Sequence, residues 1–209
     1  MKVTRYPQSC LLIEKDGFSI AIDPGDPFVA SHKADELRHV GAVFYTHDHF
    51  DHCNRALAAQ LHEWNIPLFG NASVGALLQD TPCIVVTPGE LVKVGPFSVN
   101  PALMAHSDMV DGQPGPENTG YIIDNHLLHP GDSPHVEGVN VPVIALPLVG
   151  PDISPRRACD MAKLVGAKTA IAMHYDLWGA QAEFYKLIFE RFTIPFDLKV
   201  LADGESVEV

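Results

Sequence analysis

Nine consecutive residues, Tyr45-Thr46-His47-Asp48-His49-Phe50-Asp51-His52-Cys53, constrain this chain more than any other stretch. Three histidines and two aspartates fall within six positions, directly after the apolar run Ala42-Val43-Phe44-Tyr45. That run predicts a buried strand emptying into a loop. Alternation along an extended segment sends His47 and His49 to one side, and a turn at Phe50 brings Asp51 and His52 round the same centre. Neutral imidazole and carboxylate suit zinc, iron and manganese, so the cluster points to a metal site with room for more than one cation.

The chain has 11 histidines, and most are not read this way. Isolated His32, His39, His62 and His135 are assigned to the surface or to structural roles. His126 and His129 are expected on the surface of a sheet, as members of a hairpin. Cys10, Cys53, Cys83 and Cys159 are scattered without a Cys-x-x-Cys pair, which predicts reduced, mostly buried thiols. Cys53 adjoins the metal loop and is read as a small buried residue at a helix start.

Length and composition set outer limits. A chain of 209 residues, 46% hydrophobic and 19% charged, is expected to form one soluble domain over residues 1–209. The net charge of −12, with no local basic cluster, argues against a nucleic-acid partner, because phosphate binding needs Lys and Arg to displace counterions. The segment Met1 to Pro7 lacks the apolar core of a signal peptide, and no run approaches the roughly 20 residues of a bilayer span. A cytoplasmic protein acting on a small molecule, with no membrane partner, is the expectation; a homo-oligomer is compatible with it.

Strand-like runs at Val3-Tyr6, Cys10-Ile13 and Phe18-Ile22 open the chain, with Asp16-Gly17 as a hairpin turn. Asp23-Pro24-Gly25 then forces the chain off the sheet. A short helix is expected over Ala34–Val40 with Ser31 as N-cap, and a longer one over Asn54–Trp64, where Leu57, Ala58, Leu61 and Trp64 form an apolar stripe. Further strands are expected at Pro67–Phe69, Ile84–Val86 and Phe97–Val99, with a helix over Ser73–Leu78. Asp111–Asn118 reads as a loop at the rim of the pocket. A hairpin turned at Asp124-Asn125 delivers Asp132. Val143–Leu146 and Thr169–Met173 read as strands, Ser154-Pro155 opens a helix closed by Gly166, and Phe184, Leu187 and Ile188 mark a last helix before Pro195.

The pattern Thr-His-x-His-x-Asp-His at Thr46 to His52, coming after an apolar strand, resembles the signature of the metallo-β-lactamase-fold hydrolases. That family expects a lone His, a lone Asp and a last His at later strand ends. His106 in Leu103-Met104-Ala105-His106, Asp132 in Pro130-Gly131-Asp132-Ser133 and His174 in Ala172-Met173-His174-Tyr175 occur in that order. The resemblance implies an α/β fold: an αββα sandwich of two mixed β-sheets with helices on the outer faces. It also implies that His47, His49 and His106 hold one divalent metal, that Asp51, His52 and His174 hold another, and that Asp132 bridges them. Asp23 would stand just behind the ligands, or serve only as a turn-forming aspartate.

Two cations about 3.5–4 Å apart would share a hydroxide, the expected nucleophile, with Asp51 steering the proton. Zinc is the first expectation for both positions, with manganese or iron as alternatives. The Ile22-Asp23-Pro24-Gly25 turn and the Met173-His174-Tyr175 ending are most similar to the compact group that includes ascorbate-6-phosphate lactonase. That similarity implies a small ester, lactone or phosphodiester as substrate. The same donors also suit a single iron in oxygen-using members of the fold, such as persulfide dioxygenases, and that alternative stays open here.

Overall fold

Each strand turns successive side chains to opposite faces, so the placement of apolar residues along it decides what it packs against. The computed structural model describes residues 1–177, 179 and 182–209. The first half of the chain contributes β1 (Lys2–Arg5), β2 (Leu11–Lys15), β3 (Phe18–Ile22), α1 (Asp26–Ser31), β4 (Ala42–Phe44), α2 (Arg55–Glu63), β5 (Leu68–Gly70), α3 (Ala72–Leu78) and β6 (Ile84–Val85). The second contributes β7 (Val92–Val94), β8 (Phe97–Leu103), β9 (Thr119–Ile123), β10 (Leu127–His129), β11 (Val143–Pro147), α4 (Pro155–Leu164), β12 (Thr169–Met173), α5 (Ala182–Phe189), β13 (Asp197–Lys199) and β14 (Ser206–Glu208).

The strands form two seven-stranded sheets, in the orders β14-β1-β2-β3-β4-β5-β6 and β13-β12-β11-β10-β9-β8-β7. Both are mixed. In the first, β1 to β3 pair antiparallel and β3 to β6 parallel. In the second, β7 to β10 pair antiparallel and β10 to β13 parallel. The two sheets therefore repeat one topology, with β14 of the second half completing the first.

Three apolar layers hold the sandwich together. Ile20, Ile22, Ala42 and Phe44 of the first sheet meet Val143, Ala145, Ile171 and Met173 of the second. The intervening residues Ala21 and Val43 turn outward onto Phe28, Leu57, Leu61 and Val74 of α1, α2 and α3. On the far side Ile144, Leu146, Ala170 and Ala172 pack on Met161, Ala162, Tyr185 and Phe189 of α4 and α5. Strands covered on both faces need continuous apolar runs, which is why these segments do not alternate with polar residues. The αββα sandwich implied by the sequence is the observed fold.

Most caps and turns sit where their local chemistry puts them. Asn54 caps α2 by accepting from the Leu57 amide at 2.7 Å, and Ser154 caps α4 by accepting from the Arg157 amide. Asp124 and Asn125 both have positive φ, as a tight hairpin between β9 and β10 requires. The expected helix over Ala34–Val40 is instead a 3-10 turn at Ala34–Leu37, and Ser31 ends α1 rather than capping that turn. Helix α1 itself is absent from the sequence expectations because Asp23-Pro24-Gly25 reads as a turn; Pro27 lies in its first turn, where its missing N–H costs nothing. Strand β8 runs on to Leu103, and the edge strands β7, β13 and β14 have no clear sequence signal.

Candidate metal centre

Strands β3, β4, β8, β10 and β12 all deliver polar residues just past their C-terminal ends. After β4, backbone bonds from His52 N and Cys53 N to His49 O (3.0 and 2.9 Å) close a tight turn with Phe50 exposed at its apex. The turn folds Asp51 and His52 back beside His47. Three donor groups result: His47 with His49 and His106; His47 with His52 and Asp132; and Asp51 with His52 and His174. Within each group the candidate atoms lie within 4.8 Å of one another. Loops more than a hundred residues apart in sequence thus bring all seven donors to one place.

Asp132 sits in the middle. Its Oδ1 is 3.2 Å from His52 Nε2, while its Oδ2 is 2.9 Å from His174 Nε2 and 3.7 Å from His106 Nε2. Asp51 Oδ2 is 3.4 Å from His174 Nε2 and 3.7 Å from His52 Nε2. His52 Nε2, His106 Nε2, His174 Nε2 and Asp132 Oδ1 are buried yet lack a partner in hydrogen-bonding geometry among the described residues. Orphaned buried donor atoms are costly unless something binds them. Four of them converging on one point form a donor set that a cation would satisfy.

The other ring nitrogen of His47, His52, His106 and His174 is committed elsewhere, which fixes the tautomer, whereas His49 Nδ1 faces His47 Nε2 at 3.1 Å. His106 Nδ1 donates to Ser107 O at 2.5 Å and His174 Nδ1 to Val149 O at 2.6 Å. His52 Nδ1 meets Asp23 Oδ2 at 2.7 Å, and Thr46 Oγ1 lies 3.0 Å from His47 Nδ1. Asp23 also accepts from Thr46 N (2.7 Å) and Thr46 Oγ1 (2.6 Å), so one buried carboxylate organises the start of the loop behind the donors. Its φ of +53° is a strained value for a non-glycine residue, and His174 (+59°) shares that strain.

Electrostatics separate the two sides. Burial pulls the His47 and His49 rings below their ordinary range, so both are neutral and able to ligate. Burial acts the same way on His52 and His174, but there the carboxylates prevail. Asp132, Asp23 and Asp51 hold His52 well above its ordinary value, and Asp132 with Asp51 raises His174 to about 9. In return, and against the effect of burial, those rings keep Asp132 well below the carboxylate range and Asp51 at about 2. Without metal the centre is a lattice of His–Asp ion pairs, in which cations would replace protons.

Several supporting residues carry no signal in the sequence. Gln8, fully buried with φ +64°, donates Nε2 to Asp51 Oδ2 at 3.0 Å. Asn118 donates to Met104 O and Pro130 O at 2.9 and 3.0 Å, joining the loops that carry His106 and Asp132. Asn71, which caps α3, also donates to Thr46 O at 3.0 Å. Single buried amides carry no local pattern, so only Asn118, beside the rim loop, is within reach of motif reasoning. One histidine needs correction: His129 is not on a sheet surface but fully buried, its Nε2 donating to Ser9 O at 2.9 Å. Asp108 is exposed and Cys53 is buried beside the loop.

Comparison with known proteins agrees with this geometry. A family model described as a beta-lactamase superfamily domain matches residues 2–174. The chain is 27% identical to Protein Rv0786c of Mycobacterium tuberculosis over 216 residues, covering 99% of each. It is 27% identical over 202 residues to a UPF0173 metal-dependent hydrolase of Herpetosiphon aurantiacus, covering 82% of this chain and 81% of the relative. The structure of Igni18, a metallo hydrolase from the hyperthermophilic archaeon Ignicoccus hospitalis, superposes with a TM-score of 0.73 at 24% identity, covering 99% of this chain and 97% of the other. With the fold, the strand-end donors and the family match in agreement, this chain belongs to the metallo-β-lactamase superfamily.

Proposed function

We propose that the protein is a metal-dependent hydrolase with a two-cation centre acting on a small, uncharged ester or lactone. The observation that carries this reading is the convergence of four orphaned buried donor atoms on Asp132, between two sets of histidines. His47, His49 and His106 would hold one cation, Asp51, His52 and His174 the other, and Asp132 both; zinc is the first choice and manganese or iron the next. Bound there, divalent cations would supply Lewis acidity and bring water towards ionisation near pH 7. The second set of donors favours hydrolysis over single-iron oxygen chemistry.

The chain's own groups have distinct tasks. Asp51, held ionised, accepts hydrogen bonds only and would orient a water proton rather than retain it. The backbone and Asp23 contacts of the ring nitrogens would keep Nε2 of His52, His106 and His174 aimed inward without rearrangement during turnover. The loops around the centre point to the substrate class. Residues 46–54, 104–118, 130–135, 148–154 and 174–177 contain no Lys or Arg, while they carry Asp48, Asp108, Asp111 and Asp152. A cavity of about 410 Å³ between Met109-Val110 and Pro151-Asp152 adjoins the His106 loop, and Phe50 and Val110 are exposed apolar residues. Arg157, on α4, pairs with Asp152 at 3.5 Å and offsets its charge, while the other acidic rim residues disfavour phosphate and suit an uncharged, partly apolar substrate.

Purified protein should hydrolyse neutral lactones or esters, lose that activity on EDTA treatment and regain it with added zinc or manganese. Phosphodiesters should be turned over at least tenfold less efficiently. Full activity after complete metal removal would overturn the hydrolase reading, and a preference for phosphodiesters would overturn the substrate class alone.

A further inference from the structure

We infer that Gln8 is the positioning residue for one half of the centre, the half formed by Asp51, His52 and His174, and sets the affinity of that half for its cation. The inference rests on the two-cation reading proposed for the centre.

Gln8 lies in the turn between β1 and β2, far in sequence from every donor, and is fully buried. Its contacts converge on two donors of one set. The side-chain Nε2 donates to Asp51 Oδ2 at 3.0 Å, the same oxygen that faces His174 and His52. Its backbone carbonyl accepts from His174 N at 2.8 Å. The amide cannot be reversed, because Oε1 accepts from the Asp176 amide at 3.1 Å and only the NH₂ remains for Asp51. Asp176 Oδ2 in turn accepts from Gln8 N at 2.6 Å and pairs with the buried Arg5 guanidinium, which anchors the whole arrangement. Gln8 makes no contact of this kind with His47, His49 or His106.

Physically, the carboxamide spends one lone pair of Asp51 and points the other towards the centre, without adding charge. A residue that lacks the donor would leave Asp51 free to rotate towards His52 or His174. The carbonyl bond to His174 survives any side-chain change, so removal of the side chain acts through Asp51, which loses its donor, and through the Asp176 amide, which loses its acceptor. Outer partners of metal ligands typically alter metal affinity by about 10–100-fold.

The test is a cobalt(II) titration of metal-stripped protein, followed by visible absorption and equilibrium dialysis. Gln8→Met preserves volume without the donor, and Gln8→Gly removes the side chain at a φ that glycine adopts freely, so that one variant at least should fold. Wild type should bind two cobalt ions. Both variants should bind the first as wild type does and the second about 10–100-fold more weakly. Adding Gln8→Met to His174→Ala should cost no further cobalt affinity, whereas adding it to His49→Ala should weaken the remaining ion. Equal weakening of both ions, or none, in folded variants would overturn the assignment of Gln8. Wild type binding fewer than two ions would instead overturn the two-cation reading, and the inference with it.

Discussion

Asp23 accepts three hydrogen bonds, from Thr46 N, Thr46 Oγ1 and His52 Nδ1, all on fully buried residues. Charge-assisted bonds of this kind are shorter and stronger than neutral ones, and the unmade bond costs more than the made bond gains. Asp23→Ala should therefore destabilise the protein by about 3 kcal/mol or more, as read by denaturant unfolding, and weaken metal binding about 10–100-fold. Asp23→Asn should fall between, since its amide presents only one acceptor oxygen. A loss below about 1 kcal/mol in the alanine variant would show that Asp23 is no more than a turn residue. Residue-scale strain fits the same picture, because Gln8, Asp23 and His174 adopt positive φ where the surrounding bonds hold them there.

Among the secondary elements, α1 and α2 act as a clamp on the metal loop. Asp26 N at the start of α1 donates to Phe50 O at 2.8 Å, and Asn54 Nδ2 at the start of α2 donates to Asp26 Oδ1 at 2.6 Å. Gly25, just before α1, lies so close to the loop that a Cβ there would fall on the Asp51 carbonyl group and the His52 amide. Because those atoms are backbone, they cannot rotate aside. Gly25→Ala should shift the loop, lower stability by about 1–3 kcal/mol and reduce bound metal in the purified protein by more than half. Wild-type metal content in a stable Gly25→Ala protein would contradict the clamp. Leu57 and Leu61, by contrast, hold α2 against the sheet and affect the loop only through its position.

For the molecule as a whole, the ion-pair lattice couples metal, protons and stability. His174 is raised from 6.5 to about 9 and His52 is raised well above 6.5, so their protonation stabilises the metal-free fold fully below pH 6.5. That contribution fades as pH climbs through the folded values. His47 and His49 are lowered and act in the opposite sense only below 6.5, which leaves 6.5 to 9 as the window in which the raised pair decides. EDTA-treated protein should thus unfold at a lower urea concentration at about pH 9 than at about pH 6.5, and metal loading should weaken as pH falls, since cations must displace those protons. An unchanged or higher urea midpoint at the alkaline end without metal would refute the protonated lattice.

The sequence by itself determined what is local. The run of His and Asp after Ala42–Tyr45 announces donors on a loop, period-two and continuous apolar patterns place the strands, and Ser154 and Asp124-Asn125 mark a cap and a turn, because each needs only neighbours within a few residues. His106, Asp132 and His174 are legible only through the resemblance to the metallo-β-lactamase fold, which expects them in that order at later strand ends. Tertiary structure alone decided the rest: that β14 pairs with β1 across nearly the whole chain, that α1 begins inside an apparent turn, and that Gln8, Asn71 and Asn118 are sealed into the centre. A buried amide is chosen by the lone pairs it meets in space, and those come from loops that share no sequence neighbourhood; no periodicity can encode such a meeting.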